Sequence, residues 1–185
     1  MSINSITPQD VLAFWHQAGY DRWFARDDAF DARCRSDFLD AHFAAACREL
    51  EPWMDTADGA LALAIVLDQI PRNVFRGSGH AFATDSLARH YAGRAIDRGD
   101  DLKVDPLLRP FFYMPFEHSE AMADQERSVA LAATLEGDSG RSYLDYAIRH
   151  RDVIARFGRF PHRNATLGRE STPQEQEWLD AGGGF

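Results

Sequence analysis

Apolar residues recur along this chain at three- and four-residue steps, the spacing of one face of an α-helix. Val11, Leu12, Phe14, Trp15 and Ala18 share one side of a first segment. Thr7-Pro-Gln-Asp10 opens it, with threonine as N-cap, proline at the first helical position and an acid at the third; Gly19 ends it. Tyr20 to Arg26 is an aromatic connection. Phe30, Cys34, Phe38, Leu39, Phe43, Ala46 and Leu50 predict a long amphipathic helix from Asp28 to Leu50, closed off by Trp53. Ala60 to Leu67 is apolar all round. Periodicity alone also allows a strand there, but the alanines and the helical neighbours favour a buried helix from Asp58 to Gln69. Pro71 is expected to stop it, since proline disfavours helical geometry at Ile70.

Beyond the turn at Gly77-Ser-Gly79, helices are expected over Thr84–Arg98, from Asp105-Pro106 until Pro110 breaks it, over Ser119–Leu135 and over Gly140–Phe157. Thr172-Pro-Gln-Glu175 is a capping box that leads a short helix through Leu179. No segment alternates as a strand does, and no low-complexity linker divides the chain. The expectation is one all-α domain over residues 1–185, with its core over 7–180 and a flexible tail over 181–185.

Composition narrows the class. The chain has 185 residues, 45% hydrophobic and 12% aromatic, which suffices for a core without disulfides or metals. Its net charge of −9 repels a phosphate backbone, so nucleic acid is a poor partner. Cys34 and Cys47 would stand roughly 20 Å apart along one helix, too far for a disulfide, and free thiols fit a reducing cytoplasm. Met1-Ser-Ile-Asn-Ser-Ile-Thr7 lacks the basic start and apolar run of a signal peptide. The run Ala60–Leu67 is far short of the roughly 20 residues that span a bilayer. A cytoplasmic protein without a membrane segment is expected.

Several familiar chemistries fail on spacing or context. None of His16, His42, His80, His90, His118, His150 and His162 has a His, Asp or Glu three or four residues away, as helical metal sites require. A metal would need distant segments, for instance Glu117, His118 and His162, and none is expected; nor is any cofactor. Gly137-Asp-Ser-Gly140 matches the serine-protease tetrapeptide but lies between helical patterns, where it is a turn with a helix start. Gly77-Ser-Gly-His-Ala-Phe82 lacks a third glycine and follows no strand, so it is no dinucleotide fingerprint.

What remains is three polar segments. Asp68, Gln69, Arg72 and Asn73 end the most buried helix. Glu117, His118 and Glu120 follow the aromatic run Phe111–Phe116. Arg156-Phe-Gly-Arg-Phe-Pro-His-Arg-Asn164, running on to Ser171, sets four arginines in one connection with His162 and Asn164. If the three segments meet, Arg72, Arg159 and Arg163 offer forked donors to a carboxylate or phosphate, with Phe112, Tyr113 and Phe160 as the apolar wall. His118 or His162 with Glu117 or Glu120 could supply acid–base chemistry. The competing reading is structural: acids and arginines pair to satisfy helix ends and tie loops down, using the same residue types.

At Leu67-Asp-Gln-Ile-Pro-Arg-Asn73, Ala81-Phe-Ala-Thr-Asp85, Tyr113-Met-Pro-Phe-Glu-His-Ser-Glu120, Arg156–Asn164 and Leu167-Gly-Arg-Glu-Ser-Thr172, the chain resembles the bacterial family known as domain of unknown function 924. The resemblance spans Val11 to Leu179 and implies a fold similar to tetratricopeptide-repeat proteins, antiparallel helix pairs stacked as a right-handed array. It implies no activity, and the chain carries no 34-residue repeat signature. The leading expectation is a polar pocket for an anionic small molecule or a peptide terminus. The alternatives are a hydrolase-type enzyme using His/Glu chemistry and a protein-interaction scaffold, with oligomeric state left open.

Overall fold

In the computed structural model, residues 6–185 are described; the N-terminal stretch Met1–Ser5, read above for targeting signals, lies outside them. Among the described residues every regular element is helical. The α-helices are α1 (Pro8–Ala18), α2 (Tyr20–Trp23), α3 (Asp28–Ala46), α4 (Ala57–Val74), α5 (Asp85–Asp97), α6 (Met114–Glu117), α7 (Met122–Ala132), α8 (Gly137–Phe157) and α9 (Pro173–Asp180). None is long and apolar enough to cross a membrane. Two compact units divide the chain: the first holds the described residues up to Arg76 with His80–Pro115, the second Gly77–Gly79 with Phe116–Phe185.

The first unit is built around α4. Its residues from Ala60 to Leu67, and Ile70, are fully buried, because α1, α3 and α5 pack against it along with the short 3-10 turns. A helix apolar on every face is stable only when enclosed in this way. Its start is set by Thr56, whose hydroxyl accepts from the Gly59 N–H at 3.0 Å. Glycine is needed there: a Cβ at Gly59 would come within 2.1 Å of the Trp53 carbonyl oxygen. Trp15, Trp23, Phe30 and Phe111 fill the space beyond, with Trp15 edge-on to Phe111 at 5.5 Å.

Several boundaries differ from the sequence expectation: α3 ends at Ala46 rather than Leu50, and the expected connection after Gly19 opens with the helical turn α2. Helix α4 does not stop before Pro71 but runs through it to Val74. Proline removes the N–H that would have bonded the Leu67 carbonyl. The hydroxyl of Thr84 donates to that carbonyl at 2.5 Å instead, so the break costs no buried acceptor. The segment opened by Asp105-Pro106 is a turn followed by a 3-10 turn at Arg109–Phe112, not an α-helix; Asp105 closes it by accepting from the Leu107 N–H at 2.9 Å. Helix α8 begins at Gly137, three residues before the expected start, and α7 is shorter than expected at both ends.

In the second unit α7 packs along α8. The apolar face of α8 carries Val153 and Ile154, which meet Phe160, Met122, Phe157 and Trp178. Helix α9 starts with the capping box read from the sequence: Thr172 N–H donates to Glu175 at 2.7 Å, and the Glu175 N–H donates to the Thr172 hydroxyl at 3.3 Å. Cys34 is buried and Cys47 exposed, and both are free thiols.

Candidate functional site

The sequence-predicted site residues fall into both units, and each set has its own chemistry. In the first unit, the carboxylate of Asp68 is wholly buried on α4. It accepts from the Gln69 amide at 2.6 Å, while Asn73 donates to the Gln69 carbonyl at 3.1 Å. Arg72 grips Asp85 with both terminal nitrogens, at 2.8 and 3.0 Å, and donates to the Asp68 carbonyl at 2.7 Å. Asp85 sits at the first position of α5, so this pair joins two helix ends. Tyr113 is not a bare aromatic wall. Its hydroxyl donates to Asp101 at 2.7 Å and accepts from Arg109, and burial together with Asp101 pushes its pKa up to about 12.

In the second unit the arginine-rich loop is tied down by two carboxylates. Arg159 makes a two-point pair with Glu175, at 2.6 and 2.7 Å, and its guanidinium holds Glu175 down to about pKa 2. Arg169 makes the equivalent pair with Glu120, at 2.8 and 3.0 Å. Burial alone would raise the Glu120 pKa; the bonds from Arg169 and from the Phe160 N–H, 2.8 Å away, outweigh it and the pKa is lowered. Asn164 is buried between the two pairs, accepting from Arg169 at 2.9 Å and donating to Glu175 at 3.3 Å. Arg163 is buried too, stacked on the Phe160 ring at 4.5 Å and donating to the His118 carbonyl at 3.0 Å.

Beside this lock lies a group of imidazoles. His118 and His150 have ring centres 6.3 Å apart, and Phe160 lies 5.6 Å from His150 and 5.5 Å from His162. His150 Nδ1 is 2.9 Å from the Tyr146 carbonyl, which can only accept, so Nδ1 carries the proton. Glu117 Oε1 lies 3.3 Å from the same nitrogen. That fixes the tautomer and leaves Nε2 as the basic atom. Burial, reinforced by His118, drops the His150 pKa to about 3; burial and Arg163 drop that of His162 to about 4. Both rings are therefore neutral at pH 7. His162 Nδ1 is buried with no hydrogen-bond partner among the described residues.

A cleft of about 380 Å³ opens between α8 and the chain after α9, lined by Arg149, Asp152, Val153, Trp178 and residues 181–185. Asp152 is engaged by Arg151 at 2.7 Å. Arg149 is exposed and, among the described residues, makes no hydrogen bond or ion pair; its guanidinium lies 5.3 Å from the centre of the Tyr146 ring. Among the described residues no three His, Cys, Asp or Glu are placed to hold a metal ion, Glu117, His118 and His162 included.

The model of the bacterial family of unknown function DUF924 matches residues 11–183. The chain belongs to this family. The DUF924 chain is also similar, at 50% identity and a TM-score of 0.89, to the structure of a protein of unknown function from Agrobacterium tumefaciens; the match covers 94% of this chain and 97% of that one. A comparison with curated proteins finds no match. Sequence reasoning on this DUF924 protein singled out His118 and His162 but passed over His150, Arg149 and Phe185. His150 has no carboxylate at helical spacing, Arg149 stands between Asp145 and Asp152 and so reads as an ordinary charged helix face, and Phe185 follows three glycines, so nothing local marked them. The partners of the loop arginines were half visible: Glu175 showed as a cap residue, but its second role as the Arg159 partner was not readable from spacing.

Proposed function

We propose that this DUF924 protein binds an anionic small molecule, or the carboxylate terminus of a peptide, in the cleft of its second unit. The observation that carries the reading is Arg149. Arg72, Arg159 and Arg169 already hold carboxylates in two-point pairs, whereas Arg149 lines the cleft without a carboxylate partner among the described residues. A guanidinium so placed matches a carboxylate or phosphate in charge and geometry. Of the expected binding residues, Arg163 and Asn164 then support the wall, and Asp68, Gln69, Arg72, Asn73 and Arg159 hold the fold.

A second reading is acid–base catalysis of the hydrolase type. It is favoured by the Glu117–His150 contact, which presents Nε2 as a base, with His118 and His162 close by. Glu120 leaves that set, since Arg169 and the Phe160 N–H occupy it. A base of pKa near 3 is weak at neutral pH, so this reading ranks below binding. The scaffold reading, and the tetratricopeptide-like stacking it would use, has no comparable residue behind it.

The test is thermal unfolding against a panel of carboxylates and phosphorylated metabolites, for wild type and Arg149→Ala. A bound anion at a hundred times its dissociation constant adds about 2.7 kcal/mol to wild type. The variant should lose that increment. No stabilising anion, or an increment that survives in the variant, would overturn the reading.

A further inference from the structure

Residues 181–185 fold back onto α8. After α9, the Gly182 N–H bonds the Leu179 carbonyl and the Gly183 N–H bonds the Trp178 carbonyl, both at 2.9 Å, which turns the backbone back toward α8. Glycine makes this path possible: Gly182 and Gly184 have φ of 85° and 143°, and a Cβ on Gly183 would lie 2.3 Å from the Trp178 ring. The turn delivers Phe185 flat onto the His150 imidazole, with centres 3.6 Å apart and planes 13° from parallel. Phe160 meets the same phenyl ring at 90° and 6.3 Å, and His162 meets it at 81° and 5.6 Å.

We propose that His150, Phe160 and His162 form a slot for a flat aryl ring that carries an anionic group, and that Phe185 is its built-in, displaceable occupant. The two edge contacts on the walls are a preferred geometry between aromatic rings, and the floor adds a flat stacking face. The floor is an imidazole rather than a phenyl group, so it adds ring nitrogens that can meet a polar substituent. His162 supplies a buried nitrogen with no hydrogen-bond partner among the described residues. The anionic group would extend from the slot into the adjoining cleft, because Phe185 and Arg149 line the same cavity. The occupant is held lightly: Phe185 remains 49% exposed while it covers a histidine that is 6% exposed. Displacing it would uncover the slot and leave Val153, Ile154 and Phe160 packed on Met122, Phe157 and Trp178.

This inference rests on the anion-binding reading for the charged half of the ligand, but the aromatic half can be tested without it. The probes are benzoate, acetate and benzyl alcohol, titrated by calorimetry and by NMR of the His150 and His162 ring protons. The full chain is compared as wild type, Phe185→Ala and Phe185→Trp. If the tail fills the slot about nine-tenths of the time, emptying it should strengthen apparent aryl binding about tenfold. Benzoate and benzyl alcohol should then gain in Phe185→Ala but not in Phe185→Trp, with benzoate the tighter of the two. Equal gain for acetate would overturn the slot, leaving the tail as a mere cover. Gain for benzyl alcohol with none for benzoate would overturn the charged half alone. Anion binding by wild type with no aromatic gain in Phe185→Ala would sink the slot and leave the anion-binding reading standing.

Discussion

The two units carry similar residues to opposite ends. In the first, buried Asp68, Gln69, Asn73 and the Arg72–Asp85 pair answer one another, and Thr84 takes up the carbonyl that Pro71 frees. In the second, Arg159–Glu175 and Arg169–Glu120 form a comparable lock, yet beside it stand a buried imidazole nitrogen and an arginine that, among the described residues, have no hydrogen-bond or ion-pair partner. Arginine content therefore does not mark function here. What separates the lock from the proposed site is the pairing of arginine: a guanidinium that holds a carboxylate stabilises the fold, and one without a carboxylate among the described residues is where an anion can add binding energy.

The comparison breaks most visibly if a lock residue is removed. Arg72→Ala leaves Asp68 and Asp85 buried with their shared guanidinium gone. Loss of one partner of a buried pair costs about 3–5 kcal/mol, or roughly 10 °C in midpoint for a chain of this size. Thermal unfolding should show that loss, and anion binding by the folded fraction should be unchanged. A drop of less than about 2 °C would mean the pair is not a lock.

Acid sharpens the contrast next. His150 and His162 are neutral when folded, with pKa about 3 and about 4, but take up protons near 6.5 when unfolded. The unfolded chain thus binds more protons between those values, so the stability they confer is full above pH 6.5 and is lost as pH falls toward 4. For His162 alone that amounts to about 3 kcal/mol. The midpoint should fall steadily from pH 7 to pH 4, and His162→Asn should flatten the profile. An unchanged slope in the variant would remove His162 as its source.

Thr84→Val probes the smaller device that carries α4 through Pro71. It keeps the side-chain shape but leaves the Leu67 carbonyl unsatisfied, at about 1–3 kcal/mol. This device also shows why part of the fold was not legible. The start of α1, the burial of α4 and the capping box of α9 follow from local spacing, and they stand as the sequence predicts. Helix α4 overruns its expected end because its missing hydrogen bond is supplied ten residues beyond the helix, a tertiary fact with no local signature. The same holds for the candidate site. His118, His162 and Arg163 stood out by crowding in one motif, whereas His150, Arg149 and Phe185 acquire meaning only when the chain after α9 folds back on α8.

The smallest effect on stability is the most telling for function. Arg149 lies on the exposed side of α8 with no ion pair among the described residues, so Arg149→Ala should change the unfolding free energy by no more than about 0.5 kcal/mol. In the lock, by contrast, removing Arg72 or Arg159 strands a buried carboxylate, Asp85 or Glu175. If Arg149→Ala melts with wild type yet loses the stabilisation given by an anion, one substitution has separated the two uses of arginine in this protein. If it melts well below wild type, Arg149 belongs with Arg72 and Arg159, and the second unit has no spare cation to offer at its cleft.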